Sequence, residues 1–373
     1  VERLPALIRH ITVTPLTERD ALRCALQSLP HSVEQARHYV AAACVRTGAD
    51  FKQRASPMGM LVNGEWQTGT AGGAGEDGHF HREESTFRRW LTADGGCAPN
   101  GQPALIAEPE RFRLYVSLAC PWAHRTLIVR ALKGLEPLIP LSIVNWHMGD
   151  NGWNFAPGPL VTPDPERGAQ YLHQLYQAAK PGMTGKVTVP VLWDRTEGDI
   201  VSNESADIIR MFNDAYDHLG ARPGNYYPEA LRPEIDRINE RVYETLNNGV
   251  YQAGFAATQE AYDEVIGPLF ETLDWLDGLL TDQQWLVGGV MTEADIRLFT
   301  TLIRFDSVYY VHFKCNVKRI ADYPGLHAFV QRMMVIPEVE GTVNFEHVKH
   351  HYYGSHKHIN PSGIVPAGPV APY

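Results

Sequence analysis

No stretch of the 373-residue chain approaches the ~18 consecutive apolar residues that a membrane-crossing helix needs, so neither a membrane span nor a membrane partner is expected. Cysteine is scarce and scattered. Cys24, Cys44, Cys97, Cys120 and Cys315 are odd in number, which argues against a disulfide framework and for a reducing, cytoplasmic location. Positive charge is in deficit, with a net of −10 and no basic stripe interleaved with aromatics, so nucleic-acid binding is not expected. The Gly-rich residues 68–78 lack the Gly-Lys-Ser/Thr ending of a phosphate-binding loop and read as a flexible connection. Methionine is missing from residues 1–57, and all eight in the chain lie at or beyond Met58. That segment carries eight Lys and Arg against five acids, and the acids contradict a transit peptide. It is expected to be an extension read from an upstream start, non-native or disordered, with the native chain beginning at Met58 or Met60.

What is present suits a globular chain of about two domains, with 44% hydrophobic and 20% charged residues. The most informative segment is Cys-Pro-Trp-Ala-His-Arg (120–125). It follows an alternating strand pattern at 111–118, with Phe112, Leu114, Val116 and Leu118 on one side. It opens an amphipathic helix predicted over 122–135, where Leu127, Ile128, Ala131, Leu132 and Leu135 recur at helical spacing. Pro121 then stands at the first helical position, where its missing N–H costs nothing. Unpaired N–H groups and the positive end of the helix dipole would face the Cys120 sulfur. Such a setting is expected to lower the thiol pKa from about 8.5 and make Cys120 a nucleophile. Thiol–disulfide oxidoreductases place a second cysteine three positions on; here that position is Ala123. A mixed disulfide at Cys120 must therefore wait for an external thiol, or for a cysteine elsewhere in the fold.

Along the chain, residues 62–66 read as a short strand or hairpin arm, and 138–145 as a second strand after the Cys120 helix. A long insertion at 146–185 is expected to wrap the surface near the site. Residues 187–193 are strand-like although Pro190 interrupts them. Asp199–Ser202 is a further strand, and Asn203-Glu204-Ser205 starts a helix running to Phe212. The order β-α-β, then β-β-α, predicts a thioredoxin-like sheet. Later segments at 232–248, 259–280, 293–308 and 323–334 have apolar residues at helical spacing, and Thr292-Glu293-Ala294-Asp295 has the form of a capping box. From His350 no periodicity is evident.

From about Met58 onward the chain resembles the glutathionyl-hydroquinone reductases, the Xi class of the glutathione transferase superfamily. The resemblance rests on Cys-Pro-Trp-Ala-His-Arg (120–125), Asn-Gly-Trp (151–153), Val-Thr-Val-Pro-Val-Leu-Trp-Asp (187–194) and Ile-Val-Ser-Asn-Glu-Ser (200–205). It continues in Asn-Asn-Gly-Val-Tyr (247–251), Thr-Glu-Ala-Asp-Ile-Arg (292–297), Arg-Phe-Asp-Ser-Val-Tyr (304–309), His-Phe-Lys-Cys-Asn (312–316) and Ile-Asn-Pro-Ser-Gly-Ile (359–364). It implies an α/β plus all-α fold: a thioredoxin-like N-terminal domain at 58–220 with an N-terminal arm, an all-helical glutathione-transferase C-terminal domain at 221–349, and a tail at 350–373. A homodimer is also implied.

The resemblance further implies glutathione as cosubstrate, with no tightly bound cofactor. Glu204 would pair with the glutathione α-ammonium, while the helix start and the Ser205 hydroxyl take its γ-glutamyl carboxylate. Val189, before a cis Pro190, would present its backbone to the cysteinyl part, and Trp153 would lie over the tripeptide. Lys186 stands where the family is expected to carry Arg, and it can hold a carboxylate without the bidentate fork. Tyr251 and Tyr309 are the candidates for binding the hydroquinone oxygens and protonating the leaving carbon, with Tyr310 and His312 behind them. Two other functions stand as alternatives: a glutathione-dependent thiol transferase or dehydroascorbate reductase, which also uses a helix-start cysteine, and a non-enzymatic glutathione- or protein-binding module, which would leave Cys120 and Glu204-Ser205 unexplained. His347, His350, His351, His356 and His358 invite a metal site, but no carboxylate or thiol stands at ligand spacing, and no metal is expected.

Overall fold

The computed structural model describes residues 59–69, 74–75 and 77–369. The extension at 1–57 and much of the Gly-rich loop lie outside the described residues. A short hairpin, β1 (Met60–Val62) with β2 (Glu65–Gln67), precedes a parallel pair of two-residue strands, β3 (Leu91–Thr92) and β4 (Leu105–Ile106). The main sheet has four strands: β5 (Phe112–Val116), β6 (Leu141–Ile143), β7 (Val191–Asp194) and β8 (Asp199–Ser202), in the order β6-β5-β7-β8. β5 is parallel to β6 and antiparallel to β7, and β7 is antiparallel to β8, so the thioredoxin-like arrangement expected from the element order is present. The alternation in β5 is only partial, because Tyr115 is buried along with Phe112, Leu114 and Val116. A central strand covered on both faces has no solvent side.

Between β5 and β6 lies helix α1 (Pro121–Leu132), which ends three residues before its apolar spacing predicts. It ends in a Schellman turn: Leu135 N–H donates to the Arg130 carbonyl and Gly134 N–H to that of Ala131, with Gly134 at φ +62°. The insertion after β6 contains a helix that its sequence did not announce, α2 (His173–Ala179), which contacts β8 and buries Leu175 and Tyr176. Residues 187–190 stay outside the sheet as an extended segment ending in a cis Val189–Pro190 peptide, and pairing begins only at Val191. Helix α3 (Ser205–Asp214) follows β8 and packs on α1.

The rest is helical: α4 (Arg232–Val242), α5 (Gly249–Phe255), α6 (Gln259–Asp282), α7 (Glu293–Arg304), α8 (Pro324–Met334), a single turn α9 (Pro337–Glu340), and α10 (Phe345–Ser355). The predicted helices at 232–248 and 293–308 each end in a widened turn, marked by bonds from Asn248 N–H to Tyr243 O and from Tyr310 N–H to Phe305 O. Such π-type turns re-aim the side chains that follow and gather at functional sites; here they flank Tyr251 and carry Tyr309. The Thr292–Asp295 capping box is formed, with Asp295 also accepting from Leu286 N–H at 2.9 Å. The structureless tail expected from His350 is corrected by α10, whose final turns carry His351, Tyr352 and Ser355. Its sequence, rich in His and Tyr, hid a helix that His347 and His351 dock to the insertion through the Pro159 and Trp146 carbonyls, each at 2.8 Å. Among the described residues no helix is long and apolar enough to cross a membrane, and no group of three His, Cys, Asp or Glu is arranged to hold a metal ion.

Candidate active site

Cys120 is the N-cap of α1, in extended conformation at φ −76° and ψ 124°, with Pro121 as the first helical residue. Its carbonyl accepts the first helical hydrogen bond, from His124 N–H at 3.0 Å. Its Sγ is left at the mouth of the helix, 3.5 Å from the Val189 carbonyl, to which the thiol donates. The turn is held from the helical half of the molecule. Arg304, at the end of α7 and buried, donates Nε to Ala119 O at 2.9 Å, Nη2 to Leu118 O at 3.1 Å and Nη1 to His124 Nδ1 at 2.8 Å. His124 completes the link through Nε2 to Thr342 Oγ1 at 2.8 Å, and burial beside Arg304 keeps it neutral.

The expectation that Cys120 has a lowered pKa is corrected in direction. Burial is the largest influence and raises the thiol above its ordinary value. Against it pull the N–H groups of Ala123 and Trp122 and the charges of Arg304 and Arg82. The helix start acts as anticipated, but the walls around the sulfur remove more solvation than the N–H groups replace.

Those walls enclose a cavity of about 360 Å³ with Cys120 between two unlike ends. At one end, Val187, Thr188, Val189 and Pro190 face Glu204 and Ser205 at the start of α3. Glu204 caps the helix, its Oε1 accepting from Ala206 N–H at 2.9 Å, and its Oε2 accepts from Ser85 Oγ at 2.9 Å. Ser205 Oγ lies 3.4 Å from Arg125 Nη1, a donor only, so the Ser205 proton is free for another partner. Lys186 lines the cavity, paired with Glu83 at 3.1 Å and 5.9 Å from the Phe80 ring centre. Trp153 also lines it, nearly buried and stacked on His351 with ring centres 4.7 Å apart.

The other end is aromatic, with Phe80, Trp122, Tyr251, Phe255 and Tyr352, and with Arg82 among them. Tyr251 Oη and Tyr352 Oη are 2.5 Å apart, and Tyr352 Oη is 3.2 Å from Tyr309 Oη. Two contacts among three hydroxyls use two protons and leave one for a guest. Burial pushes the Tyr251 and Tyr352 phenols well above their ordinary value, so both keep their protons at neutral pH.

Of the residues singled out in the sequence, the structure brings Cys120, Trp153, Lys186, Val189, Pro190, Glu204, Ser205 and Tyr251 around one cavity. Tyr309 is fully buried one hydroxyl behind, reaching the cavity through Tyr352. Tyr310 and His312 do not line it. His312 is buried and joined to His356 at 3.1 Å, and Tyr310 is half-buried. Tyr352, His351, His356 and the arm residues Arg82 and Ser85 were not anticipated. The only signal for Tyr352 and His356 was the density of aromatic and imidazole side chains after His347.

Comparison with known proteins follows the same division. Residues 119–215 match the family model for the glutathione S-transferase N-terminal domain, and residues 259–332 that for the C-terminal domain. Over 315 residues the chain is 55% identical to glutathionyl-hydroquinone reductase PcpF of Sphingobium chlorophenolicum, covering 84% of this chain and 97% of that one. The glutathione-bound structure of YqjG from Escherichia coli K-12 superposes with a TM-score of 0.77 at 52% identity, over 83% of this chain and 96% of that chain. The Xi glutathione transferase of Phanerochaete chrysosporium does so with a TM-score of 0.75 at 50% identity, over 80% and 95%. This chain belongs to the Xi class of the glutathione transferases. Within that class membership, the Cys120–Pro121 helix start and the Glu204–Ser205 helix start both fall inside the matched N-terminal domain, whereas Tyr352 and the arm carrying Arg82 lie beyond the two matched segments.

Proposed function

We propose that this Xi-class chain reduces glutathionyl-hydroquinones to hydroquinones with glutathione as cosubstrate, through a Cys120–glutathione disulfide. The observation that carries the reading is the single cavity in which a helix-start cysteine separates a carboxylate-and-ammonium site from an aromatic, hydroxyl-lined one. Glutathione occupies the Glu204–Ser205 end, with Val189 and Trp153 along it, and its glycyl carboxylate takes Lys186 from Glu83. The hydroquinone ring occupies the end bounded by Trp122, Tyr251 and Tyr352. The bond between the two halves of the substrate then lies at Cys120.

The Cys120 thiolate attacks the glutathione sulfur. By then the ring carbon has gained a proton supplied through Tyr251, with Tyr352 and Tyr309 in line behind it, and a sulfur–sulfur bond forms as the carbon–sulfur bond breaks. A second glutathione attacks the mixed disulfide and leaves as glutathione disulfide. Neither of the other two cysteines in the described residues lines the cavity: Cys97 is exposed elsewhere and Cys315 is buried. Among the described residues, then, no cysteine is placed to resolve the disulfide, and external glutathione takes that part. Domains at 58–220 and from 221 through α10, a homodimeric assembly and a cytoplasmic location belong to the same proposal; light scattering on purified protein tests the assembly.

Cys120→Ala is expected to abolish turnover of a glutathionyl-hydroquinone while retaining its binding in calorimetry. A variant that keeps most of its rate would overturn the mechanism. Assaying a glutathione mixed disulfide beside the conjugate separates this activity from a thiol transferase.

A further inference from the structure

Three cationic side chains line the cavity, and two are already spent: Lys186 on Glu83 and Arg88 on Asp207. The third, Arg82, has no carboxylate partner among the described residues. Its Nε donates to Asn248 Oδ1 at 2.8 Å. Its guanidinium carbon lies 4.6 Å from the ring centre of Trp122, 5.0 Å from Tyr251 and 5.3 Å from Phe80. Three aromatic faces and one amide thus hold a planar cation half-buried in the acceptor end, with four N–H donors unused among the described residues. A side chain whose only task was to fasten the arm would be expected to seek a carboxylate.

We propose that Arg82 is a further catalytic residue, contacting the hydroquinone oxygen that carries negative charge as the carbon–sulfur bond breaks. This rests on the reductase reading above. Before cleavage, the sulfur-bearing carbon takes a proton from Tyr251 and a ring hydroxyl conjugated with it returns one to the Tyr251–Tyr352–Tyr309 hydroxyl chain, leaving a ketone at that oxygen. When Cys120 attacks the sulfur, the pair from the broken bond restores the aromatic ring, and the electrons displaced from the carbonyl stay on oxygen as a phenolate. That charge appears beside the ring, away from the sulfur, in a pocket whose other walls are aromatic rings and uncharged hydroxyls. A guanidinium fixed there stabilises it without reorganising, and more strongly than water would. The same charge lowers the Cys120 thiol and the Tyr251 phenol against burial, which shows how near it stands to both.

The test is the single-turnover release of hydroquinone from two conjugates, one of methylhydroquinone and one of a chlorinated hydroquinone whose phenolate is less basic. Arg82→Met is expected to slow the methyl conjugate by about 100-fold, the usual scale for removing one oxyanion donor. It should slow the chlorinated one by about 10-fold or less, and Arg82→Lys should regain most of the loss. Asn248→Ala, which keeps the charge but frees it, should give the same substituent pattern in smaller measure, and it decides the matter if Arg82→Met does not fold. Equal slowing of both conjugates, or none, would overturn the role of Arg82. A wild-type protein that releases no hydroquinone and gains no glutathione on Cys120 would overturn the reductase reading, and this proposal with it.

Discussion

Cys120 works against its own burial. Attack requires the thiolate, and a pKa above the ordinary thiol value leaves little of it at neutral pH, a fraction that grows as pH rises toward that pKa. The penalty is partly offset because a more basic sulfur is a stronger nucleophile, with a Brønsted coefficient of about 0.4–0.5. Alkylation of Cys120 by iodoacetamide should therefore climb steadily through neutral pH and level off only above about 8.5. A plateau reached below pH ~7.5 would contradict the balance of burial over helix-start stabilisation. Tyr352 is the second residue with a defined expectation. Replacing it with Phe breaks the hydroxyl chain between Tyr309 and Tyr251, and steady-state kcat should fall by about 10- to 100-fold. Tyr309→Phe should cost less, because Tyr309 meets the cavity only through Tyr352.

At the scale of elements, the site is an arrangement of ends: α1 opens on Cys120, α3 opens on Glu204, and two widened helical turns deliver Tyr251 and Tyr309. The box at the start of α7 holds the opposite end of the helix that supplies Arg304. Asp295 there accepts from Leu286 N–H, Thr292 N–H and Thr292 Oγ, all buried. Asp295→Ala leaves those donors unpaired and should lower unfolding stability by about 2–4 kcal/mol in urea titration. A loss under ~0.5 kcal/mol would mean that water replaces the carboxylate. This capping box was legible in the sequence, as were α1, β8 and the start of α3, because each is written in a few adjacent residues. Helix α10 was not, since its buried face uses His and Tyr in place of aliphatic residues and so shows no apolar period. The arm that carries Arg82 and Ser85 was equally silent: it has no repeat, and its partners Asn248 and Glu204 lie 166 and 119 residues away.

Taken as a whole, the molecule closes its cavity with pieces drawn from both halves and from the arm, which is why the direction of the Cys120 pKa could not be read locally. A helix start predicts a lowered value; burial within walls supplied by distant segments reverses it. Arg304, 185 residues from the Ala119 carbonyl it holds, ties the Cys120 turn to the helical half of the molecule. The identity of the acceptor end was legible only as far as Tyr251, and its partner Tyr352 emerged from packing. Both halves serve one sulfur, so the most direct test is the mass of the intact protein after incubation with a glutathionyl-hydroquinone and no free glutathione. The account predicts a single added glutathione, mapped by peptide analysis to Cys120 and removed by fresh glutathione. An unmodified Cys120, or an adduct on another cysteine, would contradict it.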